Sequence, residues 1–274
     1  MKKEKISVVI ITNNESKNIE RCLISVAWAD EKIVIDSYST DDTAKKAKKL
    51  GAKVFLKKWN GFSSQKAYAI KKATNKWVIS LDADEEVSIE LKDEILNAIE
   101  KNEFDGFEIC RKNFFLGKWI KRSGWFPDFQ IRLFKKSETN VIDRPVHEGF
   151  IVNGKISRLK GYIFHYSYLT LEQYLSKQNY YTSLDVGNKL QSMYGKKIYW
   201  FNFILNPLST FLRLYFVKGG WRDGMRGFIL SSYSCLYTLL TYAKTWELQN
   251  AILKKDKLPP TKHTELSTMK ELHF

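Results

Sequence analysis

The sequence predicts an α/β protein: a mostly parallel sheet flanked by helices, followed by a helical C-terminal extension. Three observations predict it. Short, continuously apolar runs such as ISVVII (6–11) alternate with segments of helical periodicity through the first hundred residues. Asn13, Asp36 and Asp82 fall just past apolar runs, where a parallel sheet gathers its ligand-binding edge. After residue 170 the alternation stops, and aromatic, weakly charged segments take over.

Residues 6–11 are closed by the polar TNNES, the pattern of a strand covered on both faces. Preceded by MKKEK, the run ends after about six residues without a small-residue cleavage site, so it reads as a strand and not a signal peptide. Ile19, Leu23 and Val26 then recur at helical spacing. KIVID (32–36) is the second strand, and STDDTAKKAKKLG opens as a capped helix that closes on Gly51, with Asp41, Asp42 and Thr43 as its turn and cap. AKVFLK is the third strand, SSQKAYAIKKATN the third helix and KWVISLD the fourth strand. Connections of this kind make the strands parallel. Glu85 and Glu86 are expected in the first turn of the helix at 88–101, where acidic residues are favoured. DGFEICRKNFFLG and FQIRLFKK read as strands around a GWFPD loop, and short apolar segments over 149–166 as further strands ending in YIFHYS.

Residues 171–195 read as a polar-aromatic helix. IYWFNFILNPLSTFLRLYFV (198–217) holds one charge, Arg213, and FILSSYSCLYTLLTYA (228–243) holds none. Pro207 interrupts the first and the second is short for a bilayer span. The connector VKGGWRDGMRG is basic, and tryptophans stand at 200, 221 and 246. The expectation is helices lying in a membrane interface; a soluble helical subdomain or a homo-oligomer contact is the alternative. The expected domains are 1–170, binding and catalytic; 171–253, helical; and 254–274, a tail.

The 274 residues carry a formal net charge of +15, which calls for an anionic partner. No nucleic-acid motif or dense arginine cluster accompanies the charge, so nucleic acid is not expected. A membrane surface and a phosphate-bearing substrate remain. Cys22, Cys110 and Cys235 lack metal-site spacing and are expected as thiols.

Asp82 and Asp84 flank one residue at the end of a buried run. That spacing can set carboxylate oxygens around Mg²⁺ or Mn²⁺, which take hard ligands alongside substrate phosphates; an acidic pair in a turn can equally be structural. Asp36 is open to two readings, an Asx-turn or an acceptor for a nucleobase or ribose, with Asn13 and Glu15 on the neighbouring loop. Lys66, where a loop meets a helix, is a candidate diphosphate contact.

SVVIITNNE, the strand-end Asp of VIDSYSTDDT and the DAD of SLDADEE, in this order, resemble the family 2 glycosyltransferases, inverting enzymes with the A-type fold. The resemblance covers roughly residues 5–170. GWFPDFQIRLFKK and RPVHEGF look like the branch that adds β-1,4-glucose to the lipopolysaccharide inner core. The Q-x-x-R-W stretch of cellulose- and chitin-synthase-like members is missing, so processive synthesis is not implied. The resemblance implies an A-type glycosyltransferase fold, a Rossmann-like, mostly parallel sheet flanked by helices, here with a membrane-associated helical extension. It also implies that Asn13, Glu15 and Asp36 hold uridine and that Asp82 and Asp84 surround the cation bridging the diphosphate. A base must take the acceptor proton; DRPVHEGF supplies Asp143, His147 and Glu148, with Glu148 favoured, His147 orienting it, and Asp128 the rival. Arg132 and Arg144 are candidate phosphate contacts, His165 a candidate metal ligand, and Gly124 and Trp125 candidates for shaping the sugar pocket.

The expected activity is metal-dependent, inverting transfer of a hexose, glucose from UDP-glucose, to a glycolipid or other lipid-linked saccharide such as lipopolysaccharide core. The expected location is the cytoplasmic face of the inner membrane, as a peripheral or monotopic protein. Transfer to polyprenyl phosphate is the neighbouring alternative. A nucleotidyltransferase would carry a glycine-rich basic loop after the first strand, and TNNESKN is not one. A non-catalytic nucleotide-sugar-binding protein would leave the strand-end acids without a task.

Overall fold

The computed structural model describes residues 4–142, 149–193 and 197–255. β1 (Ile6–Thr12) is buried throughout and lies between β2 (Glu31–Asp36) and β4 (Trp77–Asp82), with β3 (Lys53–Leu56) outside β2. All four are parallel. They are joined by α1 (Ile19–Ser25), α2 (Thr43–Lys49) and α3 (Phe62–Lys72). Val8 and Ile10 enter an apolar cluster with Leu23 and Ala47, whereas Val9 and Ile11 enter one with Ala69 and Ile70. Alternate residues of β1 thus feed opposite faces, which is why its sequence is apolar without a break.

The sheet continues through β8 (Asp128–Lys135), β6 (Gly106–Phe115), β11 (Ile156–Tyr168) and β5 (Glu85–Val87), with β7 (Lys118–Trp119) on β6. β8 runs antiparallel to β4 and β6, and β11 parallel to β6. Glu85 and Glu86 therefore do not open a helix: they form β5, where His165 pairs opposite Glu85. The helix starts later, as α4 (Ile89–Lys101), where Ser88 Oγ accepts from the Leu91 amide at 3.2 Å. In the sheet, Glu85 pairs with the buried Arg132 guanidinium and with Arg111. At Gly161 on β11 a Cβ would stand 2.5 Å from Leu91 Cα, so the close approach of strand and helix requires glycine. β9 (Thr139–Ile142) and β10 (Gly149–Val152) form a separate antiparallel pair.

Beyond the sheet come α5 (Leu171–Ser192), α6 (Asn202–Leu212) extended by a π-helical turn at Arg213–Val217, and α7 (Met225–Lys255). α5 and α6 both pack on α7. Phe115 and Ile120 meet Tyr174 and Leu230 in a third apolar cluster, which docks the helices on the sheet. Arg226 adds hydrogen bonds of 3.1 and 2.9 Å to the Leu116 carbonyl. Among the described residues, no helix is long and apolar enough to cross a membrane.

Candidate active site

The register brings the strand ends level: Thr12 pairs with Asp36, and Ile11 with Asp82. This edge opens into a cavity of about 1280 Å³. Asp36 is buried at the end of β2; its Oδ1 accepts from the Ser39 amide at 2.7 Å. Asp36 Oδ2 and the buried Thr12 Oγ1 have no hydrogen-bond partner among the described residues. Asn13 Nδ2 donates to the Ser37 carbonyl at 2.8 Å, which fixes the loop after β1. Glu15 accepts from Asn18 Nδ2 at 2.7 Å; burial, and then the charge of Asp84, raise its carboxyl above the ordinary range.

A chain of alternating charges crosses the floor of the cavity. Lys66 Nζ lies 3.3 Å from Asp82 Oδ1, and Arg132 Nη2 lies 3.1 Å from Asp82 Oδ2. Arg132 Nη2 also reaches Glu85 Oε1 at 2.7 Å, and Arg111 Nη1 reaches the same oxygen at 3.3 Å. Arg111 then pairs with Asp128 at 2.8 Å. Each buried charge has an opposite neighbour, the condition under which burial is tolerated. Burial alone would raise the Asp82 carboxyl, but Lys66, Arg132, Arg111 and His165 overcome it and hold it far below the ordinary range. At Asp128, too, burial is outweighed, by Arg111, Gln130 and Asn113, and the carboxyl is lowered. A carboxylate held down in this way is a weak proton acceptor.

The second acid of the pair faces a histidine. Asp84 Oδ1 stands 3.5 Å from His165 Nε2. The tautomer follows from the neighbours. Asn113 Nδ2 donates to Asp128 Oδ2 at 3.0 Å and to the Trp125 carbonyl at 3.2 Å, so Asn113 Oδ1 is the atom 2.7 Å from His165 Nδ1. An oxygen there requires a proton on Nδ1, which leaves the Nε2 lone pair turned toward Asp84 when the ring is neutral. One carboxylate and one imidazole nitrogen, with the Asn113 oxygen fixing the ring, suit a divalent cation alongside phosphates and water. Among the described residues no group of three or more His, Cys, Asp or Glu converges. When the His165 ring is protonated it offers Asp84 a positive charge and an N–H instead, and these outweigh burial and lower the carboxyl.

Thus Asn13, Glu15, Lys66, Asp82, Asp84, Arg132 and His165 all line the cavity. Asp36 and Asp128 are not among the lining residues; Asp128 sits at the end of the charge chain. Gly124, at φ +78°, lies in the loop before Trp125, whose ring packs against Phe115 and Tyr168. Asp143, Arg144, His147 and Glu148 lie outside the described residues, although Gly149 and Phe150, which follow them, line the cavity. Sequence reasoning missed Glu85, Arg111 and Asn113, and it missed the wall formed by Lys177, Tyr181 and Asp185 of α5 and Tyr237 of α7. A signal was present on the strands: Asp128, Gln130 and Arg132, like Arg111 and Asn113, recur every second residue and so share a face.

An α/β fold with acids at parallel strand ends, gathered with buried cations at one cavity, has the ligand-binding edge of an open α/β sheet. Its membership is specific: the family described as "Glycosyl transferase family 2" matches residues 7–155, and the chain belongs to it. It is 36% identical over 258 residues to a glycosyltransferase of Rickettsia typhi, covering 89% of this chain and 88% of that one. It is 28% identical over 252 residues to the lipopolysaccharide core biosynthesis glycosyltransferase LpsC of Rhizobium meliloti, covering 88% and 92%. Among solved structures, S. aureus TarS 1-349 in complex with UDP-GlcNAc overlays with a TM-score of 0.49 at 15% identity, covering 90% of this chain and 92% of that one.

Proposed function

We propose that this glycosyltransferase moves a hexose, glucose from UDP-glucose, onto a lipid-linked saccharide such as lipopolysaccharide core, inverting the anomeric centre with Mg²⁺ or Mn²⁺ as cofactor. One observation carries the reading: His165 Nε2 stands 3.5 Å from Asp84 Oδ1 beside the Lys66–Asp82–Arg132 cluster. Asp84 and His165 would hold the cation. When bound, it supplies positive charge that stabilises the departing diphosphate. Lys66 and Arg132, now balanced by Asp82, stand where a diphosphate competes for them. Asp36, paired in register with the cavity-lining Thr12, is kept as the acceptor for a nucleobase N–H.

In the displacement, the acceptor oxygen bonds to the anomeric carbon while the bond from that carbon to the phosphate oxygen breaks. The electron pair of that bond leaves with the diphosphate. The hydroxyl proton passes to a base, for which we keep Glu148; Asp128 is disfavoured by its Arg111 pair. The likeness to LpsC supports a lipopolysaccharide-core acceptor.

A lipid-linked acceptor calls for a protein that rests on a membrane, and the helical region supports that placement. Trp200, Val217 and Met225 are 75%, 79% and 71% exposed, and Leu205, Phe216 and Trp221 are exposed nearby in the chain. Between Asp185 and Glu247 the one acidic residue is Asp223, while Arg213, Lys218 and Arg222 are among the basic ones. The Asp223 carboxylate is buried and accepts from the Lys121 and Arg122 amides at 3.3 and 2.8 Å. Apolar and basic residues without an exposed acid suit the interface of an anionic leaflet, and we place the protein on the cytoplasmic face of the inner membrane.

Hydrolysis of a panel of nucleotide sugars, assayed with Mn²⁺, with Mg²⁺ and with EDTA, tests the reading. Metal-dependent release of UDP from UDP-glucose is expected. Release of a different nucleotide, or release equal in EDTA, would overturn the donor or the cofactor.

A further inference from the structure

We infer that the cavity wall built by Tyr180, Tyr181 and Asp185 of α5 with Tyr237 of α7 is the subsite for the acceptor's sugar rings. The inference rests on the glycosyltransferase reading and names a part of the cavity that reading leaves unused. These four residues line the same cavity as Asp84 and His165. They lie far along the chain from the strand ends that would hold the donor.

Their chemistry selects the ligand. Three phenol rings offer apolar faces to the C–H sides of a pyranose, and their hydroxyls supply polar edges. Asp185 supplies a carboxylate, which repels a phosphate and accepts hydrogen bonds from sugar hydroxyls. Its Oδ2 takes the Tyr237 hydroxyl, whereas among the described residues its Oδ1 has only Asn188 Nδ2 at 3.5 Å, the outer limit of a hydrogen bond. A carboxylate that lines the cavity thus keeps acceptor capacity. Tyr180, 46% exposed, presents its ring beside Tyr181 with centroids 5.8 Å apart.

A purely structural role, tying α5 to α7, is already filled elsewhere. Lys244 Nζ donates to the Asn179 carbonyl, Thr182 Oγ1 and Ser183 Oγ at 2.9, 2.8 and 2.8 Å. Lys189 Nζ donates to Tyr242 Oη at 2.9 Å. With Lys244 Nζ to Asn179 Oδ1 at 2.9 Å, five polar contacts thus join the helices without Asp185 or Tyr237.

The experiment titrates lipid-free core oligosaccharide, released from lipopolysaccharide by mild acid, into the full chain preloaded with UDP and Mn²⁺. Asp185→Asn keeps the shape and an acceptor for Tyr237, and Tyr180→Ala changes an exposed ring. Each is expected to weaken oligosaccharide binding about tenfold or more, the scale of a lost charged hydrogen bond or stacked ring, while UDP affinity and melting temperature stay at the wild-type value. Variants that bind the oligosaccharide as wild type does, or that lose UDP affinity in parallel, would overturn the subsite. Wild type that binds UDP but no oligosaccharide would overturn it too, with the donor reading left standing. Failure to bind UDP would remove the donor reading and the subsite with it.

Discussion

His165 Nε2 faces Asp84 Oδ1 at 3.5 Å, and its Nδ1 is held 2.7 Å from Asn113 Oδ1. The amide fixes the ring so that Nε2 stands beside the carboxylate, where a neutral ring offers a lone pair to a cation. Asn113→Leu is therefore expected to lower Mn²⁺ affinity about 10- to 100-fold, as loss of a group that orients a metal-binding histidine does. Excess Mn²⁺ should restore UDP binding. Calorimetric titration of Mn²⁺ in the presence of UDP reads this directly, and an unchanged affinity would separate Asn113 from the metal site.

Glu85 is fully buried and accepts from Arg132 at 2.7 Å and Arg111 at 3.3 Å. Glu85→Ala leaves two guanidinium groups short of a counter-charge. The expected loss of stability is about 3–5 kcal/mol, the usual cost of breaking a buried pair from one side. Urea unfolding measures it, and a loss below about 1 kcal/mol would show that the charge chain relaxes around the gap.

Why Glu85 escaped the sequence reading is instructive. An acid shortly before an amphipathic helix fits a first turn, and no local pattern reveals that β11, some eighty residues on, adds an edge to the sheet at that point. By contrast, Asn13, Asp36 and Asp82 were legible because each ends an apolar run, and parallel strands gather such ends at one edge. The tyrosines of α5 and α7 look in sequence like an interfacial helix face. Which of them turn into the cavity depends on how α5 and α7 pack, and periodicity carries no record of that.

Glu31 gives the fold an acid-sensitive anchor. Burial alone would raise its carboxyl, but Ser7 Oγ at 2.6 Å, the Thr74 amide at 2.8 Å and Lys53 at 2.9 Å hold it at about 2. The folded carboxyl therefore binds a proton less tightly than the unfolded one. Its stabilisation is complete above the ordinary value of 4.5 and is lost as pH falls toward about 2. Glu31→Gln should flatten the fall of melting temperature across that window. A variant as acid-sensitive as wild type would assign the loss to other carboxylates.

The proposed membrane contact predicts a charge- and salt-dependent attachment. Wild type should sediment with vesicles containing phosphatidylglycerol and far less with pure phosphatidylcholine, and added salt should weaken binding. Trp200→Glu combined with Val217→Glu places two acids on exposed apolar positions and should abolish sedimentation without lowering the melting temperature. Retained binding by this variant would move the contact elsewhere.

The most direct test of the central claim is titration of UDP into the wild-type protein, first with Mn²⁺ and then in EDTA. Binding is expected with Mn²⁺, and an affinity at least about tenfold lower in EDTA, because Asp84 and His165 would hold a cation whose charge offsets that of the diphosphate. No binding of UDP in either condition would contradict it.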